Sequence, residues 1–141
     1  MFQAEHPELE LDYHQFDVLY QDSRPWMTAT LDGELTDAEG RRYVLEIKTA
    51  NVGKASQWEK WKDAVPMNYL AQAIAQMAVT GWDGVYLYAK LLKLNGDSEL
   101  RLYKIERGEH EEDIRWLVSE IDNFWKLVET RTPPPNILPA L

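Results

Sequence analysis

At 141 residues the chain is long enough to enclose one hydrophobic core and too short for two. A hydrophobic share of 45% excludes a disordered polar chain, and the lack of cysteine excludes disulfides, thiolate metal sites and a cysteine nucleophile. The net charge of −9 weighs against simple electrostatic binding of nucleic acid, which needs clustered Lys and Arg. It does not exclude a centre that gathers carboxylates around bound cations, and one stretch (Arg41, Arg42, Lys48, Lys54, Lys60, Lys62) is locally basic.

Met1 to Asp12 is acidic and polar, unlike a signal or transit peptide, and no apolar run approaches the ~20 residues of a membrane-spanning helix. A soluble, cytoplasmic protein is expected. Phe16 to Tyr20 reads as a short strand, and Gln21 to Pro25 as a turn. Trp26 to Leu35 reads as a second strand interrupted at Asp32-Gly33. Thr36 to Gly40 makes a polar hairpin connection, and Arg42 to Thr49 a third strand in which Tyr43, Leu45 and Ile47 alternate.

Asn51 to Val65, with Gly53, Trp58 and Trp61, reads as a loop leading into a short helix. Pro66 suits the first turn of a helix that runs to about Thr80 and stops at Gly81. Val85 to Leu92 and Leu100 to Ile105 are two more strands around Asn95-Gly96-Asp97. From Glu109 to about Glu129, Ile114, Leu117, Val118, Ile121, Phe124, Trp125 and Val128 recur at helical spacing, with acids in the first turn. Pro133 to Pro135 then prevent a helix from continuing. The pattern is α/β, ordered βββαββα, with a mixed sheet of about five strands flanked by helices. One domain is expected over 1–141, with a core over 16–130 and an extended Pro-rich tail over 131–141.

Chemistry concentrates at Asp32-Gly33 and Glu46-Ile47-Lys48. The strand period of two puts Glu46 and Lys48 on one face and Ile47 on the other, and a neighbouring strand ending at Asp32 would bring three charged groups together. Two carboxylates can hold hard divalent cations that clamp a phosphate and lower the pKa of a bound water. A nearby Lys can orient the attacking water or neutralise charge developing in the transition state. The bland alternative is a common turn pair and a solvated Glu-x-Lys strand. On the helix after Pro66, Tyr69, Gln72 and Gln76 share one face, while Leu70, Ile74 and Met77 face the core. That polar stripe either faces a site or lies open to solvent.

Three ordered segments carry a resemblance. Arg24-Pro25-Trp26-Met27-Thr28-Ala29-Thr30-Leu31-Asp32-Gly33, Val44-Leu45-Glu46-Ile47-Lys48-Thr49-Ala50 and Pro66-Met67-Asn68-Tyr69-Leu70-Ala71-Gln72 resemble the motifs of YqaJ-like viral recombinases. These are relatives of the lambda-type phage exonuclease within the PD-(D/E)xK nucleases. The resemblance implies a restriction-endonuclease-like core and Mg²⁺-dependent hydrolysis of double-stranded DNA from an end, with Mn²⁺ as a substitute. It makes Asp32, Glu46 and the carbonyl of Ile47 the metal ligands, Lys48 the catalytic lysine, and Gln72 the helix glutamine that supports the site. Thr49, Lys54 and Tyr69 become candidate DNA contacts. It also implies a phage or prophage origin in a bacterial host, a single-strand annealing partner and a homo-oligomeric ring.

Members of that family carry an N-terminal helical region with a further acidic residue at the metal site. Met1 to Glu10 offers Glu5, Glu8 and Glu10 without a helical segment of that kind, so this region is expected to be missing. The alternative function is therefore a truncated, catalytically incomplete domain of the same fold that binds DNA or serves assembly. Elsewhere, Glu34 reads as a solvated hairpin residue more readily than as an accessory ligand. His6, His14 and His110 read as surface or structural residues, and Trp58 and Trp61 as core before base-stacking groups.

Overall fold

The computed structural model describes residues 2–135; of the Pro-rich tail, 136–141 lie outside the described residues. In chain order the elements are α1 (Phe2–Glu5), β1 (Glu10–Asp12), β2 (Leu19–Gln21), β3 (Arg24–Ala29), β4 (Gly33–Thr36), β5 (Arg42–Asn51), α2 (Ala55–Glu59), α3 (Met67–Thr80), β6 (Gly84–Leu92), β7 (Ser98–Glu106), a 3₁₀ turn (Arg107–Glu109) and α4 (Glu111–Glu129). Five strands form a mixed sheet in the order β1-β4-β5-β6-β7, and β2 and β3 form a separate two-stranded hairpin. The sheet is antiparallel except for the parallel pair β5–β6, which is joined through α2 and α3. A parallel pair needs such a crossover, and a helix packed on the sheet supplies it.

This is the expected α/β architecture with a five-stranded mixed sheet, but its membership differs. The polar segment Glu10–Asp12 enters the sheet by backbone pairing with β4, while Trp26 stands on the hairpin that leaves the sheet. The predicted break at Asp32-Gly33 is thus a passage from hairpin to main sheet. The predicted strand over Phe16 to Tyr20 begins only at Leu19. Phe16 is exposed and has φ 68°, a left-handed conformation that no strand accommodates.

Two cores cover the two faces of the sheet. On one face Val44, Val85, Leu87, Ala89 and Leu91 pack against Ile74, Met77 and Ala78 of α3 and Ile114 of α4. On the other, Leu35, Tyr43, Leu45 and Tyr88 pack with Phe2 and Leu9. The core therefore starts at Phe2 and not at residue 16, because the N-terminal segment caps a sheet face that no long helix covers. The same segment forms a single helical turn, Phe2–Glu5, anchored by buried Phe2. Strand β6, between β5 and β7, is largely buried and is tightly packed at its start. Gly84 lies so close to the carbonyl oxygen of Ile105 and the ring of Tyr43 that a Cβ there would collide.

Helix α3 begins after Pro66 and ends at Gly81, whose φ of 70° supplies the left-handed cap. On α4 the N-terminal half of the apolar stripe meets the core, and of its C-terminal half Trp125 meets the hairpin. Ile114, Leu117, Val118 and Ile121 meet the core, whereas Phe124 and Val128 are exposed. Two contacts fasten the hairpin to α4: Arg24 makes a two-pronged ion pair with Asp122, and Trp26 stacks on Trp125 with centroids 5.3 Å apart. Among the described residues, no helix is long and apolar enough to cross a membrane.

Candidate active site

Strand β5 supplies Glu46 and Lys48, and its alternation holds as predicted. Glu46 points under α3 and is 5% exposed, while Ile47 turns to the other side and is 47% exposed. A carboxylate this enclosed needs partners, since burying an unpaired charge costs several kcal/mol. Glu46 has three. Oε1 accepts from Gln72 Nε2 at 2.7 Å and lies 2.5 Å from Lys48 Nζ; Oε2 accepts from Gln76 Nε2 at 2.6 Å. The polar stripe of α3 is therefore not a solvated face. Gln76 is 3% exposed, and its own Oε1 has no partner. Such an orphaned acceptor costs about 1–3 kcal/mol.

Asp32 approaches along the backbone. Gly33 is the first β4 residue, facing Leu45 of β5, and the chain reaches it from the hairpin through Thr30 to Asp32. The Asp32 carboxylate fills the next ladder position, where its Oδ2 accepts the Ile47 N–H at 2.7 Å. Asp32, Glu46 and Lys48 thus converge where the β4–β5 ladder ends. An open cleft of about 190 Å³ adjoins them, lined by Thr28, Ala29, Thr30, Gln72, Ala75 and Gln76.

The other predicted residues divide. Tyr69 is brought in from below: its ring lies 5.4 Å from Lys48 Nζ and packs on Trp61. Such a cation–π contact contributes about 0.5–1 kcal/mol and holds the ammonium over the ring. Thr49 alternates onto the face of Ile47, away from Lys48, and Lys54 is exposed at the start of α2. Of the basic stretch, Arg41 is engaged by Asp37 and Arg42 by Glu34, on whose partner strand it lies. This pairing also settles Glu34 as a hairpin residue. Trp61 is buried and its carbonyl accepts from Arg101 and the Tyr103 hydroxyl, while Trp58 is half-buried beneath the cations of Lys93 and Arg101.

Glu5 goes to a different place. It accepts a 2.7 Å hydrogen bond from the Tyr88 hydroxyl, on the sheet face opposite Glu46. Burial, and then this bond, push the Tyr88 hydroxyl up to about 12. Among the described residues no group of three or more His, Cys, Asp or Glu is arranged to hold a metal. What remains is the carboxylate pair of Asp32 and Glu46, a set of hard oxygen donors. It fits Mg²⁺, which is held through one or two carboxylates and keeps waters or phosphate oxygens for its other positions.

A mixed five-stranded sheet with helices on its faces, carrying Asp, Glu and Lys at one strand end, defines an α/β nuclease-like core. The model of the YqaJ-like viral recombinase domain matches residues 3–83, more than half of the chain. The protein belongs to that family, whose members are generally nucleases of the phage recombination type. The match spans α1 to the end of α3 and so includes every residue of the site. No curated protein and no solved structure matches.

Gln76 was visible in the sequence only as a member of the polar stripe. The signal that could have singled it out is its spacing of one turn from Gln72, which gives a single acceptor on the facing strand two donors.

Proposed function

We propose that the protein hydrolyses phosphodiester bonds of double-stranded DNA from an end, with Mg²⁺ held by Asp32, Glu46 and the Ile47 carbonyl. The observation that carries this reading is the 2.5 Å pairing of Lys48 with an enclosed Glu46, beside Asp32 on the next residue's amide. When bound, Mg²⁺ would supply a clamp for the phosphate and would lower the pKa of a water beside it. Lys48 places a positive charge where negative charge develops on the phosphate. Gln72 keeps Glu46 in its rotamer, and Tyr69 limits the positions open to Lys48. The same reading gives Mn²⁺ as a substitute, a single-strand annealing protein as partner and a homo-oligomeric ring as the assembly.

The test is degradation of linear duplex, with covalently closed circles as the control. Asp32→Ala, Glu46→Gln and Lys48→Met each lower the rate by on the order of 100-fold or more, as expected when a charge at the reacting phosphate is lost. Parent-like degradation by all three variants overturns the assignment. A second reading, a catalytically incomplete DNA-binding or assembly domain, draws on the engagement of Glu5 by Tyr88 rather than at the Asp32–Glu46 pair. It predicts no turnover by the parent with any divalent metal.

A further inference from the structure

Glu46 and Gln76 are the two buried polar side chains among the described residues, and they face each other. The orientation of the Gln76 amide is fixed. Turned over, its Oε1 would set lone pairs against the Glu46 carboxylate. The price of this orientation is the unpartnered, buried Oε1 on the far side. A residue kept for stability alone would be matched at both ends, or replaced by an apolar side chain of the same volume. Gln76 is neither, so its donor is what matters.

The two oxygens of Glu46 are not equivalent. Oε1 accepts from Gln72, which is half-buried, and lies against Lys48, whose side chain is 22% exposed. Oε2 accepts from enclosed Gln76. Oε1 is therefore the outward oxygen, and Oε2 the inward one. We propose that Gln76 is a positioning residue that pins the inward oxygen of Glu46, so that the outward oxygen faces a divalent cation. The proposal rests on the nuclease reading above. It explains why α3 carries two glutamines one turn apart: Gln72 shares its oxygen with Lys48, whereas Gln76 holds the other oxygen without a second donor.

The test measures Mn²⁺ binding by calorimetry, without DNA, for the parent, Gln76→Met and Gln72→Met. Gln76→Met weakens Mn²⁺ binding on the order of tenfold, the usual effect of removing a group that orients a ligand. Gln72→Met weakens it less, because Lys48 still serves Oε1. The metal-free melting temperature of Gln76→Met falls, since buried Glu46 Oε2 loses its donor, so Mn²⁺ binding is compared well below the melting range of either protein. A folded Gln76→Met that binds Mn²⁺ like the parent overturns the inference and leaves the nuclease reading standing. A parent that binds no Mn²⁺ overturns both. Should Gln76→Met not fold, the side-chain amide signals of Gln76 in the parent decide by NMR. They shift saturably with added Mg²⁺ if the inference holds, and signals that stay still overturn it.

Discussion

Lys48→Met tests the electrostatics of the site without touching its apolar packing. The substitution keeps the unbranched stem over Tyr69 and removes the charge 2.5 Å from Glu46 Oε1. Fully buried pairs cost about 3–5 kcal/mol when one partner is removed, and exposed pairs about 0.2–1 kcal/mol. Here the Lys48 side chain is 22% exposed and the Glu46 side chain 7%, and two glutamine donors stay on the carboxylate. The expected loss lies between those limits, about 1–3 kcal/mol. For a domain of this size that is a fall in melting temperature of roughly 4–10 °C. In a Glu46→Gln background no buried charge is left behind, and Lys48→Met should then cost under about 0.5 kcal/mol. Thermal or urea unfolding of the four proteins of this cycle gives the coupling directly. Mg²⁺ provides a further arm: a cation at Glu46 replaces the missing charge, so saturating Mg²⁺ raises the melting temperature of Lys48→Met more than that of the parent. Equal cost in both backgrounds, with equal response to Mg²⁺, refutes the reasoning.

Alkaline pH tests the N-terminal anchor. The Tyr88 hydroxyl is raised to about 12 in the fold, above its ordinary value, by burial and then by Glu5. An acid whose folded value is raised contributes stability that is complete below the unfolded value and is lost as pH rises through the folded one. The melting temperature of the parent should fall more steeply between about pH 10 and 12 than that of Tyr88→Phe; parallel curves would remove Tyr88 from the account. Gly84→Ala forces a Cβ against the Ile105 carbonyl and should cost about 1–3 kcal/mol by chemical denaturation. An unchanged unfolding midpoint would mean that β6 and β7 separate more easily than their packing indicates.

What the sequence discloses is what side-chain periodicity and backbone punctuation encode. Glu46 and Lys48 share a face because a strand has period two, and α3 has the limits that Pro66 and Gly81 set. The hairpin of β6 and β7 follows from apolar runs on either side of Asn95-Gly96-Asp97. Strand β1 escapes notice because Glu10 to Asp12 join the sheet through backbone bonds, which leave no signature in residue type. The detachment of β2 and β3 from the main sheet is equally silent, since both sheets use the same alternation. Whether Gln72 and Gln76 face solvent or Glu46 depends on where α3 lands on β5, and helical spacing alone leaves both outcomes open. Glu5 likewise has no reason to seek Tyr88 until the sheet brings them together.

The attachment of the β2–β3 hairpin to α4 has a consequence for the order of assembly. Asp32, Glu46, Lys48, Gln72 and Gln76 all lie within the first 76 residues, yet Arg24 and Trp26 are secured by Asp122 and Trp125. Contacts across so long a stretch of chain form late, because the loop they close must first lose its freedom. As the polypeptide leaves the ribosome, the hairpin can pack on α3, where Gln21 donates to the Ala78 carbonyl, but its ties to α4 wait for the last helix. The carboxylate pair can therefore form before α4 is made, and α4 then clamps the hairpin that leads into Asp32.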